Sequence, residues 1–212
     1  MVNHARLRTA LIAPVAAFAA MGAMTLVSPV HATTAESSVA SATTRINHKD
    51  SLRDVRGASV ESSDSLKRVR TNKTADITKL TATYGRKLVI TSTTRRTMPK
   101  DQMGVVARLA TSGSDYDYQV DYVRGFIGQG NVLQLSTNEY EPVTCAGLKV
   151  KRANAKHRVK IIVPARCIGE PTRVRVGAVT LVQKGDRLFI DDAFDNTSDG
   201  YTIALSRWLK RR

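Results

Sequence analysis

From residue 77 onward, apolar and polar positions alternate in short runs rich in β-branched and aromatic residues. The pattern predicts strands at 77–84, 87–93, 104–111, 116–124, 132–136, 143–151, 158–163, 172–182 and 187–191. Gly85-Arg86, Ser112-Gly113-Ser114 and Lys184-Gly185-Asp186 supply tight connections between neighbouring runs. No long segment carries the 3.6-residue period of a helix. Only 203–210 fits a short terminal helix, and it fits a last strand equally well. Short strands at this spacing predict an all-β fold, an antiparallel β-sandwich of jelly-roll type.

Successive side chains of a strand point to opposite sides, so strict alternation assigns faces. Tyr116, Tyr118, Val120 and Tyr122 share one face, and Asp115, Asp117, Gln119 and Asp121 share the other. The tyrosines read as core, with a sugar-stacking surface as the functional alternative. Same-face neighbours on a strand sit roughly 7 Å apart, within the range of the paired carboxylates of an inverting glycosidase, although any alternating strand produces that spacing. Lys149 with Lys151, Arg158 with Lys160, and Arg173 with Arg175 place two cations on the polar side of each of three consecutive strands. If these strands pair, one sheet has a basic outer face.

The chain upstream has a different character. His4, Arg6 and Arg8 precede an uncharged, small and apolar stretch at 9–30, and Val30-His31-Ala32 ends it with small residues at a cleavage position. This is the three-part plan of a secretory signal peptide. Pro14, Gly22 and Pro29 interrupt the stretch and no basic stop-transfer cluster follows, which argues against a retained membrane anchor. Residues 33–49 are rich in Ser, Thr and Ala without periodicity and read as a flexible leader. The expected organisation is therefore a signal peptide at 1–32, a leader at 33–49 and a β-sandwich domain at 50–212, secreted and monomeric.

Composition narrows the function classes. The 212 residues include 33 Lys plus Arg against 18 Asp plus Glu, a net charge of +15. With 42% hydrophobic residues the chain is neither wholly disordered nor a collagen. The positive charge favours an anionic partner, but no nucleic-acid recognition motif is present, and an exported protein has no dedicated DNA target. No Gly-x-Ser-x-Gly elbow, His-x-x-x-His pair or phosphate loop occurs. The acidic run 191–200 departs from an EF-hand loop, since Ser206 stands where the closing Glu belongs.

Two cysteines exclude a disulfide-dense scaffold and a four-Cys zinc module. Cys145 and Cys167 flank two strands joined by a turn at 152–157. Pairing Val150 with Ile161 leaves Cys145 opposite Arg166, one residue from Cys167, an offset that a bulge at Gly147 or Pro164 absorbs. In an exported chain this arrangement predicts a disulfide. A Cys nucleophile would need His157 as its base, and His157 lies at the far turn.

Asp50-Ser-Leu-Arg-Asp54-Val, Ala75-Asp76-Ile-Thr-Lys-Leu-Thr-Ala-Thr-Tyr84 and Lys87-Leu-Val-Ile-Thr-Ser92 together resemble the N-terminal half of β-sandwich domains related to DOMON and family-nine carbohydrate-binding modules. The run Ile161-Ile-Val-Pro-Ala-Arg-Cys-Ile-Gly-Glu-Pro171, followed by Val174-Arg-Val-Gly177, resembles secreted actinobacterial proteins of that shape whose role is unassigned. The resemblance implies a sandwich from the sugar-, haem- and calcium-binding class, and a structural calcium held through Asp50 or Asp54. This chain has one Trp, Trp208, and its histidines beyond the signal segment are His48 and His157 alone, so paired Trp stacking and haem ligation lack their usual residues. The expected function is a non-catalytic binding domain that attaches to an anionic cell-surface polymer through Lys149, Lys151, Arg158, Lys160, Arg173 and Arg175. A carboxylate-dependent glycoside hydrolase is the alternative, and no cofactor beyond calcium is expected.

Overall fold

The alternation in the sequence is realised as two antiparallel sheets packed face to face. A computed structural model describes residues 44–60, 66–113, 116–126, 130–195 and 202–212, all within one unit, Ala40–Arg212. The expected signal peptide at 1–32, residues 33–43 of the expected leader, Asp115 and residues 196–200 of the acidic run lie outside the described residues. The strands in chain order are β1 (Arg45–Lys49), β2 (Arg56–Ser59), β3 (Lys67–Arg68), β4 (Ile77–Tyr84), β5 (Lys87–Thr94), β6 (Met103–Ala110), β7 (Tyr118–Phe126), β8 (Gly130–Thr137), β9 (Pro142–Val143), β10 (Lys149–Ala153), β11 (Arg158–Pro164), β12 (Arg173–Lys184), β13 (Arg187–Asp192) and β14 (Leu209–Lys210). One sheet has the order β1-β4-β5-β11-β10. The other has the order β3-β2-β13-β12-β6-β7-β8-β9, with β14 pairing β12.

The inner faces form one core. Leu80, Tyr84, Leu88, Ile90, Ile161 and Val163 from the first sheet meet Met103, Val105, Leu109, Val120, Val174 and Val176 from the second, all buried. Alternation in β4 and β5 gives them one buried and one half-buried face. On the outer side of the second sheet, Val179 and Ile190 are covered by Ile203, so the segment at 202–206 roofs part of that sheet. It passes so close to Gly177 that a Cβ there would collide with the Ala204 carbonyl. Ser206 Oγ accepts from the Val176 N–H at 3.0 Å and fixes the crossing.

Two expectations about organisation change. The folded unit starts before residue 50: Arg45–Lys49 is a strand paired in register with β4, from Arg45↔Thr83 to Lys49↔Lys79. β12 belongs to the second sheet, whereas β10 and β11 belong to the first, so the three cation-bearing strands do not form one surface.

Cys145 and Cys167 are joined, with Cα atoms 5.4 Å apart and a sequence separation of 22. Val150 does pair with Ile161. The offset at the open end is taken up by Gly147, at φ +97°, and by a 3-10 turn at Ala165–Ile168 that carries Cys167 off the strand. Free-thiol titration of the denatured, unreduced protein is expected to find none, and two free thiols would overturn the linkage. Cys145→Ser should cost roughly 3 kcal/mol by the chain-entropy account, with the far-UV spectrum retained.

Candidate functional site

The lead-in to the sandwich gathers carboxylates. The Asp50 N–H donates to the Thr78 carbonyl at 3.2 Å, anchoring residue 50 beside the start of β4. The chain then turns tightly: Ser51 N–H donates to Asp50 Oδ1 at 2.7 Å, and Arg53 takes the left-handed conformation at φ 68°. Arg53 N–H points at Asp76, 3.3 Å from each oxygen, and Asp76 also accepts from Arg95 Nη1 at 3.0 Å. This turn carries Asp54 inward, where it is 3% exposed. Neither oxygen of Asp54 reaches a donor of another residue, and Oδ2 of Asp50 is likewise buried without one. Asp191, from β13, completes the group, its Oδ2 accepting from Ile77 N–H at 2.6 Å. One carboxylate oxygen from each of Asp50, Asp54 and Asp191 lies within 4.8 Å of the others. A cavity of about 10 Å³, room for a single water or ion, opens against Asp54, Arg56, Ile190, Asp191, Asp192 and Asp195.

The electrostatics of this group are lopsided. Burial, with Asp54 next in importance, pushes the Asp50 carboxyl up to about 8. Burial pushes Asp191 up to about 9 against the pull of the Ile77 N–H. Asp54 is raised by burial, with Arg68 opposing. Asp192, on the other side of β13, rises to about 6 through burial, although its oxygens accept from Phe194 and Ala204 N–H at 2.9 Å each. Asp76 has its arginine. Asp50, Asp54 and Asp191 stand in none of the ion pairs of the described residues, although Arg56 lines the same cavity and Arg68 lies near enough to Asp54 to oppose its rise.

A second surface stands out on the outer side of the five-stranded sheet. The registers align Lys49, Lys79, Thr93 and Arg158 in one row, Asn47, Thr81, Thr91, Lys160 and Lys151 in the next, and Arg45, Thr83, Val89, Ile162 and Lys149 in a third. A half-buried lane of Thr81, Thr83, Val89, Thr91, Thr93 and Ile162 therefore runs between cations on both flanks. At roughly 4.8 Å per strand, the Lys79 and Arg158 columns stand about 10 Å apart. No carboxylate occupies these rows, and Lys49, Lys149, Lys151, Arg158 and Lys160 are exposed and outside the ion pairs of the described residues.

The other expected residues are scattered. Arg173 stacks over Trp208 at 4.3 Å on the second sheet, and Arg175 Nε donates to the Ser206 carbonyl at 2.8 Å, bracing the crossing segment. Tyr118 and Tyr122 pack into the core, while Tyr116 lies under the Arg108 guanidinium at 4.4 Å, so the three tyrosines form no common stacking surface. Asp117 is consumed by its turn, accepting from Thr111 and Ser112. Asp121 accepts from Gln119 Nε2 at 3.0 Å on the outer face of the second sheet, and Asp115 lies outside the described residues. His157 Nδ1 pairs with Thr97 Oγ1 at 2.6 Å, and His48 packs on Phe194, with ring centroids 4.5 Å apart.

Asp50 and Asp54 stood out in the sequence through the resemblance, whereas Asp191 stood out only as the end of the 187–191 strand and the start of an acidic run that departs from an EF-hand loop, with nothing to tie it to the other two. The available signal was its phase: Phe189 and Asp191 share the inward face of β13, and an acid at a core position needs a partner. Arg45 and Lys49 were missed as parts of the basic surface because β1 was read as leader, and Lys79, in a predicted strand, because its place beside Lys49 and across from Arg158 depends on which strands pair. No protein-family model matches this chain, and no similar chain was found among curated proteins or solved structures.

Proposed function

We propose that the chain is an exported, non-catalytic binding module whose five-stranded sheet lies against an anionic cell-surface polymer, a polyphosphodiester or an acidic polysaccharide. The observation that carries this reading is the hydroxyl-lined lane between two cationic flanks, without a single carboxylate in its rows. Threonine hydroxyls donate to and accept from sugar or phosphate oxygens, and the flanking cations supply attraction without demanding one chemical identity. The lane's width of about 10 Å accommodates one extended polymer strand lying along β5. The joined cysteines support an oxidising, extracellular setting. We read the domain as a relative of DOMON and family-nine modules that uses charge where sugar binders use stacked tryptophans.

Exposed charges attract weakly and are screened beyond about 8 Å at physiological salt, so retention should be steep in salt. Purified protein is passed over immobilised anionic wall polymer across a salt series. Changing Lys149, Lys151, Arg158 and Lys160 to Gln should weaken retention roughly tenfold, at a few tenths of a kcal/mol or more per charge. A control with Arg96, Lys100, Lys184 and Arg207 changed to Gln carries the same net charge and should be retained like the parent. Salt-independent retention, or equal loss in both variants, would sink the reading.

A further inference from the structure

We infer that Asp50, Asp54 and Asp191 are the protein ligands of one calcium ion. An acidic cluster alone would not carry this. What carries it is Asp54, 3% exposed, with neither oxygen meeting a donor of another residue, facing two further carboxylate oxygens within 4.8 Å. A buried carboxylate without donors is costly, and natural interiors satisfy such groups with hydrogen bonds, paired charges or metals. Donors of other residues serve Asp76 and Asp192 here, whereas Asp54 has at most its own backbone N–H.

The donor set names the kind of ion. It offers oxygen only, with no His or Cys, which selects a hard cation over zinc or copper. Calcium binds oxygens at about 2.3–2.6 Å, so two of its ligands stand up to about 5 Å apart, matching the observed spread. Magnesium at about 2.0–2.1 Å demands a tighter octahedron and keeps most of its waters, which suits an all-protein carboxylate cage poorly. The cavity beside Asp54 and Asp191, which Arg56 also lines, measures about 10 Å³, the size of one ion or water. Bound there, the ion would tie the lead-in turn at residues 50–54 to β13 and to the first residue of β4, which Asp191 already holds.

The test uses purified protein stripped with a chelator. Calorimetric titration should find one calcium per chain, and saturating calcium should raise the melting temperature by about 5–10 °C at a hundredfold excess over Kd. Asp54→Asn and Asp191→Asn should fold, by circular dichroism, yet show neither uptake nor shift. Asp50→Asn, less buried, serves if either fails to fold, and should weaken calcium binding at least tenfold. Asp101→Asn, on the surface, should respond like the parent. Absence of stoichiometric uptake, a full calcium response in Asp54→Asn, or an equal shift with magnesium would overturn the assignment. None of these readouts depends on polymer binding, so the two proposals stand or fall separately.

Discussion

In chelator, the protein is expected to lose stability steadily as the pH rises from about 5 to 9. Asp50 and Asp191 hold their protons more tightly in the folded chain, up to about 8 and about 9, than the ordinary value of 3.8. The folded state therefore carries more protons than the unfolded one between these values. Their contribution is complete below 3.8 and is lost as the pH rises through 8 and 9. Asp54, Asp76 and Asp192 face the same region and sharpen the loss, while Arg68 and Arg95 temper it. Water reaches part of Asp50, so only a fraction of the displacement counts. Crediting about two pH units to each group, at about 1.4 kcal/mol per unit, gives roughly 5 kcal/mol, or about 10–20 °C in melting temperature. Thermal melts in chelator at pH 5, 7 and 9 measure this, and the Asp54→Asn, Asp191→Asn double variant should flatten the profile. A melting temperature that holds level or climbs would refute the electrostatic account of the cluster.

Tyr84→Ala is expected to cost about 4 kcal/mol. Tyr84 ends β4 at 1% exposure in the middle of the core, and its hydroxyl donates to the Pro171 carbonyl at 2.8 Å. Its own carbonyl receives the Arg212 N–H at 3.3 Å. Truncation leaves a ring-sized hole and an abandoned carbonyl where the C-terminal strand docks on the first sheet. Tyr84→Phe keeps the packing and forfeits only the hydrogen bond, about 1 kcal/mol. Urea unfolding of both variants at matched slope separates the two contributions. A cost for Tyr84→Ala no greater than for Tyr84→Phe would show that the ring is not what holds this junction.

Legibility in the sequence followed the strength of alternation. β4, with Ile77, Leu80, Ala82 and Tyr84 buried, lies where the pattern put it. β1 escaped because Ile46 is its only fully buried residue and cations hold its ends, so it looks like a polar linker until β4 is beside it. β2 escaped for a related reason: its buried residue is Gly57, against Phe189, which leaves no apolar rhythm to detect. Faces were readable for Arg173 and Arg175, but sheet membership was not, because alternation says which way a side chain points and nothing about which sheet receives the strand. The Asp50–Asp54 spacing was visible as a local feature. Its link to Asp191 depends on β13 closing beside β2, and no short-range pattern encodes that pairing.

The hydrogen bond from Ile77 to Asp191 spans 114 positions of chain. That separation makes the carboxylate cluster a property of the finished topology. In the nascent chain its members are ordinary, fully hydrated aspartates, Asp191 far from Asp50 and Asp54, with no cooperative grip on an ion. The loop that joins them closes only when the last long strand arrives, a non-local event of the kind that slows β-rich folding. An ion captured there acts on the native state alone and leaves the order of earlier steps untouched. It works as a latch fitted last, retarding opening of the sandwich without helping it to close.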